Sequence, residues 1–306
     1  MQDIPMELAE TLAAVVDTGT MDAAARRLHI TPSAVSQRIR TLEDRLGRVL
    51  LVRAKPARPT DAGARVVRLA RQYSVLAHDA LADLGAGASG EEAGRRVSIP
   101  LAVNADSMAT WMLPALATVA DSQGVVFDLH SHDQDHTAAL LEEGEVMAAV
   151  TSQEDPVPGC RVSPLGVMRY EAVATPELAE RMRADPTAVP VVDFDRRDEL
   201  QTRWLRARGV DAAVPARHRV PGSHDFAQAL VAGLGWGMLP EPQSAEPLGN
   251  GRLVRLGGDP VDVPLYWQQW NLESAVLTAV GAELGKEARR RLRPPRGERR
   301  RPDAGR

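Results

Sequence analysis

The stretch MDAAARRLHITPSAVSQRIRTLEDRLG, Met21 to Gly47, decides how the front of this chain folds. Apolar residues recur at helical spacing on both sides of a short break: Met21, Ala24, Ala25 and Leu28 before it, Val35, Ile39, Leu42 and Leu46 after it. His29 and Ile30 leave room only for a tight turn, and Thr31 followed by Pro32 is a helix cap with proline at the first helical position. Upstream, Leu8, Leu12, Val15 and Val16 predict another helix, closed by Gly19. Three short helices over residues 6–46, the last two joined by a turn, make a helix-turn-helix.

At about 100° per residue, Ser33, Gln37 and Arg40 fall opposite the stripe of Val35, Ile39 and Leu42, with Ser36 beside them. A short amide and hydroxyl surface near a helix N-terminus, here opened by Thr31 and Pro32, is what reading a DNA major groove needs. Gln can bond adenine N6 and N7, and Ser reaches phosphates or base edges. Arg38 and Arg40, with Arg53 and Lys55 beyond the helix, are candidates to neutralise phosphates. A polar outer face alone is what any surface helix has. The three-helix setting and the basic segment that follows point to double-stranded DNA as a partner.

That segment, LLVRAKPARPT from Leu50 to Thr60, has two prolines and alternating basic residues and predicts a short hairpin or wing. Thr60 then caps a long helix to about Leu84, roughly 36 Å at about 1.5 Å per residue. Val66, Leu69, Tyr73, Leu76 and Ala80 give it the 3-4 spacing of a dimer seam. GAGASGEEAG, Gly85 to Gly94, has the composition of a flexible linker. From Val97 on, apolar runs (VSIPLAV, VVFDLH, VMAAVT) alternate with helical patterns, predicting βαβ units, a mostly parallel sheet and two α/β lobes around a cleft. The expected architecture is α+β and multi-domain: a winged helix-turn-helix over 1–60, a linker helix and hinge over 61–94, a two-lobed domain over 95–292 and a basic disordered tail over 293–306.

The net charge of -4 is unevenly spread. Arg38 to Arg65 carries a local +5 and Gly285 to Arg306 a local +7, leaving -16 for the rest, the pattern of a basic working patch on an acidic body. No apolar run reaches the roughly 18 residues of a membrane helix, and the start MQDIPMELAE is acidic where a signal peptide is basic, so no membrane contact and a cytoplasmic location are expected. One cysteine, Cys160, excludes an internal disulfide and a multi-cysteine zinc site, and no histidine falls in an HExxH motif, so neither metal nor cofactor is expected.

Ala9 to Gly63 resembles the DNA-binding domain of LysR-type transcriptional regulators: the paired alanines of the second helix, SAVSQRI, LEDRLG and the T-x-x-G of Thr60 to Gly63 stand at that family's spacing. Met21 and Leu51 depart from it, each standing where the family has Phe, and both stay apolar. VNADSMATWMLPAL, PLGVMRYEAVATPE, FDRRDELQ, GLGWGMLPE and PLYWQQW extend the resemblance, over about residues 6–285, to the lysine- and arginine-responsive LysG/ArgP branch. The resemblance implies a periplasmic-binding-protein-like effector domain and a homodimer or homotetramer acting with RNA polymerase. It implies as effector L-lysine or L-arginine, activation of an amino-acid exporter gene, and no enzymatic activity. The rival reading is a cytoplasmic amino-acid-binding or transferase-like α/β protein whose front end mediates assembly.

Within the α/β part, Asn104, Asp106 and Ser107 lie where a strand gives way to a helix, the usual ligand position in open α/β sheets. Helix amides and the Ser107 hydroxyl there suit a carboxylate, while Asp106 serves equally well as a plain helix cap. DFDRRDELQ puts Asp195 and Asp198 around Arg196 at another helix start, and Thr151 and Tyr170 complete the candidates. Such carboxylates suit the two amino groups of a cationic amino acid. Other features have blander accounts. GLGWGMLP, Leu234 to Pro240 with Gly233, is a helix end turning into a strand. SHD at Ser223 to Asp225 lacks the GxSxG elbow of a hydrolase. Cys160 is expected to be a buried small residue, with redox sensing as the alternative, and Trp267 and Trp270 are expected to pack and not to form an aromatic box.

Overall fold

The computed structural model describes residues 3–85, 96–132 and 137–294; the glycine-rich linker from Ala86 and the basic tail beyond Pro294 lie outside them. The three expected helices are α1 (Met6–Thr18), α2 (Met21–Leu28) and α3 (Pro32–Leu46). Thr20 and Thr31 cap α2 and α3 by accepting from Ala23 N and Ala34 N, both at 3.2 Å, and Gly19, His29 and Gly47 end the helices in the left-handed conformation. Leu12, Val15, Ala24, Val35, Ile39 and Leu42 interlock as one buried core.

β1 (Leu51–Val52) and β2 (Arg58–Pro59) pair antiparallel as the wing. The helix α4 (Asp61–Asp83) follows, capped by Thr60. The T-x-x-G motif has a steric reason: a Cβ on Gly63 would stand 1.9 Å from the Leu50 carbonyl oxygen, so only glycine lets α4 start against the wing. Val66, Val67 and Ala70 of α4 belong to the N-terminal core, which therefore reaches past residue 60.

The effector region departs from the expected mostly parallel sheet. β3 (Ser98–Asn104) is parallel to β4 (Val126–His132) and β5 (Ala148–Thr151). The two longest strands, β6 (Cys160–Ala174) and β11 (Val261–Trp270), are antiparallel and run through both lobes. The first lobe is β3, β4, β5 and one half of that pair, with α5 (Ala105–Thr110), α6 (Leu113–Gln123), α7 (Thr137–Glu142) and α12 (Ala275–Arg291). The second adds β9 (Gly237–Pro240) and β10 (Val254–Arg255) to the other half, plus the parallel pair β7 (Val191–Asp193) and β8 (Arg217–Arg219). Its helices are α8 (Pro176–Ala184), α9 (Leu200–Ala207), α10 (Ser223–Val231) and α11 (Glu241–Gly249). Long apolar runs do not encode strand direction, because a buried strand reads the same in either sense.

α4 also docks on the first lobe of its own chain. Arg71 donates to the carbonyls of Gly144 and Glu145 at 2.8 and 2.6 Å and to Asp17 of α1 at 2.5 Å. Arg68 lies 4.8 Å from the Trp270 ring, and Asp79 accepts from Ala275 N at the start of α12 at 3.0 Å.

Candidate functional site

Two polar surfaces carry the chemistry. On α3, Thr31, Pro32, Ser33, Gln37 and Arg40 are exposed and Ser36 is half-buried, all away from the buried Val35, Ile39 and Leu42. Thr31 and Ser33 join their hydroxyls at 2.9 Å, keeping the helix start compact. Arg53 and Lys55 stand exposed on the wing, joined there by Arg58. The wing is held to α3 by Glu43, which accepts from Leu50 N at 2.9 Å, and to α4 by Thr60, whose hydroxyl donates to the Val49 carbonyl at 2.8 Å. Arg38 differs from its expected place: it turns back to α1, pairs with Glu7 and donates to Thr11 at 3.4 Å. One helical step past Gln37 brings it to the edge facing α1, where a carboxylate already waits. Its charge is directed to a protein partner instead of the open face.

The exposed residues of the predicted seam are Leu69, Tyr73, Leu76 and Ala80, whereas Val66 is buried in the N-terminal core. Leu81 and Leu84 extend the apolar exposure to the end of α4.

The second surface is a cleft between the lobes, open to solvent at its mouth. Asn104, Asp106, Tyr170, Asp195, Asp198, Glu199, Arg197 and Arg203 supply its polar lining, with Phe194, Phe226 and Met238 as apolar walls. The expected Asn104, Asp106, Tyr170, Asp195 and Asp198 thus meet in one place. Ser107 and Thr151 are fully buried and lie outside this lining, and Arg197 lines the cleft where Arg196 was expected. In the 193–200 turn, neighbouring side chains diverge, and only backbone geometry decides which arginine faces inward.

Asp106 is not a helix cap. Asn104 occupies that position in α5, while Asp106 accepts from Tyr170 OH at 2.7 Å and from Ser223 Oγ at 2.5 Å. Asp198 accepts from Phe194 N, Leu200 N and Gln201 Nε2 at 2.9, 3.1 and 3.0 Å, and Asp195 from Arg197 N and Asp198 N at 2.7 and 3.1 Å. Among the described residues, the hydrogen bonds to these three carboxylates come from neutral donors. Burial pushes the Asp106 carboxyl above its ordinary range against the opposing bonds from Ser223 and Tyr170, and burial likewise raises Asp198. Asn104 Oδ1 is buried on the same wall without a hydrogen-bond partner among the described residues. An acceptor-rich, partly unsatisfied cavity of this kind favours a ligand carrying N–H donors and positive charge.

Sequence reasoning missed Ser223 and Gln243, which donates to Ser223 Oγ at 3.0 Å. The only signal for Ser223 was its place in the SHD triplet, read solely against hydrolase motifs. Trp267 and Trp270 are buried packing residues, and burial raises the half-buried Cys160 thiol to about 11, which disfavours a reactive thiolate.

Comparison with known proteins follows the same division. The family model "Bacterial regulatory helix-turn-helix protein, lysR family" matches residues 6–64, and the LysR substrate binding domain matches residues 92–288. The HTH-type transcriptional regulator LysG of Mycobacterium tuberculosis is 45% identical over 295 residues, spanning 92% of this chain and 95% of that protein. The lysine export transcriptional regulatory protein LysG of Corynebacterium glutamicum is 41% identical over 298 residues, spanning 95% and 99%. The solved structure of full-length LysG from Corynebacterium glutamicum with bound effector Arg matches with a TM-score of 0.71 at 38% identity, covering 95% of this chain and 100% of that one.

Proposed function

The chain belongs to the LysR family of bacterial helix-turn-helix transcriptional regulators, and from that premise we propose that its cleft takes L-lysine or L-arginine and that the bound ligand switches a promoter. The observation that carries this reading is the cleft wall of Asp106, Asp195 and Asp198, three carboxylates whose hydrogen-bond partners among the described residues are neutral. The relatives named for lysine export and for bound arginine support the same ligand class.

In this reading Asp106 and the Asn104 carbonyl oxygen receive the ligand's α-ammonium, Asp195 and Asp198 its side-chain cation, and Arg203 its carboxylate. Ser107 and Thr151 act only by packing beneath that wall, and Arg197 takes the place given to Arg196. Exposed Gln37, with Ser33 and Ser36, reads bases, while Arg40, Arg53 and Lys55 meet phosphates. The stripe Leu69, Tyr73 and Leu76 pairs two copies, so that two reading helices meet two half-sites. Working units are the winged domain (1–60), linker helix and hinge (61–94), effector domain (95–292) and tail (293–306), in a cytoplasmic homodimer or homotetramer that engages RNA polymerase and raises transcription of an amino-acid exporter. Ligand favours one arrangement of the lobes, and α4, docked on the first lobe through Arg71 and Asp79, passes that bias to the DNA-binding domains. Titration calorimetry of the full chain with lysine, arginine, histidine, norleucine and glutamate tests the ligand assignment. Lysine or arginine should bind tightest; glutamate or norleucine binding as tightly overturns it.

A further inference from the structure

The deepest carboxylate of the cleft is held from both sides by hydroxyls. Asp106 belongs to α5 in the first lobe, whereas Ser223 opens α10 in the second, so their 2.5 Å bond joins the lobes directly across 117 residues of sequence. Gln243 of α11 donates to the same Ser223 oxygen at 3.0 Å. An ionised carboxylate only accepts, so the hydroxyl proton must point to Asp106, and the amide of Gln243 fills the acceptor side that remains. Ser223 is buried, which keeps water from substituting for it.

We propose that Ser223 is the positioning residue of the effector cleft, its hydroxyl, oriented by Gln243, tying Asp106 to the second lobe and so setting both lobe closure and the aim of the carboxylate that meets the ligand's amine. The inference rests on the ligand class proposed above. Other groups share the field around Asp106: Tyr170 from β6; Asp195, Arg197, Asp198 and Glu199 from the turn before α9; and Arg203 from α9. His224 and Asp225, next to Ser223 on α10, are exposed. The Ser223 bond favours the ionised form of Asp106, so its loss leaves a carboxyl that protonates more readily.

The test uses the full chain as wild type, Ser223→Ala and Ser223→Thr, titrated with L-lysine and L-arginine from about pH 5 to about pH 8, with thermal unfolding followed over the same range. Ser223→Ala should bind about tenfold more weakly near neutrality, as expected for a lost bond to a charged group, and the deficit should widen as pH falls. Ser223→Thr, which keeps the hydroxyl, should restore both affinity and pH profile. A merely structural role would weaken binding equally at every pH. That result, or an alanine variant with wild-type affinity and pH dependence, overturns the proposal. The unfolding profile separates the two levels of inference. If wild type binds no basic amino acid but Ser223→Ala still moves the pH dependence of unfolding, the clasp stands and the ligand assignment falls; if lysine binds and neither profile moves, the clasp falls.

Discussion

On α3 the side chains that face outward, Ser33, Gln37 and Arg40, stand in solvent and depend on a buried stripe of the same helix, Val35, Ile39 and Leu42. In the cleft, Asp106, Tyr170, Ser223 and Gln243 come from four separate elements and hold one another at 2.5 to 3.0 Å. The first surface is a set of independent groups mounted on a rigid core. The second is a network in which each group fixes the protonation and direction of the next. Truncations should therefore add on the helix and fail to add in the cleft.

The largest effect should come from the element between the two surfaces. Leu69→Asp with Leu76→Asp places charges in the exposed stripe of α4, where pairing of two copies would bury them. Operator affinity should drop by roughly 10² to 10⁴, the advantage of two linked reading helices over one. Sedimentation velocity with footprinting checks this, and an intact dimer holding both half-sites would place the seam elsewhere.

Next in size, Asp106→Asn removes the carboxylate of the network and should cost about 2–5 kcal/mol in lysine or arginine binding, with little change for norleucine. Combined with Ser223→Ala, the loss should be clearly smaller than the sum of the single losses. A calorimetric cycle that adds within error would break the contrast with α3.

On the helix, Gln37→Ala should weaken binding to the specific site by about 1–3 kcal/mol and leave random DNA almost unaffected, whereas Arg40→Ala should weaken both. The pair should add. Equal losses on specific and random DNA for Gln37→Ala would remove it from base readout. Arg38→Ala, its guanidinium turned to Glu7, should change the salt dependence of binding less than Arg40→Ala does.

The smallest effect is on stability against pH. Asp106 and Asp198 hold their protons more tightly folded than unfolded, so their contribution is fully present below the ordinary carboxylate range and is lost as pH rises through the raised folded values. Asp198→Asn should flatten that slope in thermal unfolding. An unchanged slope would show that burial does not shift this carboxyl.

The front of the molecule was legible almost residue by residue, because helix periodicity, the Thr31 and Thr60 caps and the Gly63 contact act within a few positions or against the adjoining wing, although the Thr20 cap of α2 went unread. Arg38 is the exception there, since its direction depends on Glu7 of another helix. In the effector region the strand-to-helix junctions flagged Asp106, Asp195 and Asp198, while the directions of β6 and β11, the inward turn of Arg197 and the role of Ser223 stayed hidden.

What the sequence by itself determined is therefore local: three short helices, a wing, an amphipathic linker helix, alternating strands and helices, and acidic residues at strand ends. Those features follow from backbone geometry and from apolar spacing over a turn or two, which any short window of sequence contains. Only the tertiary structure decided which polar groups meet. Asp106 and Ser223 are 117 positions apart, and a hydrogen bond's consequence depends on the water excluded around it, a property of the packed chain and of no segment within it.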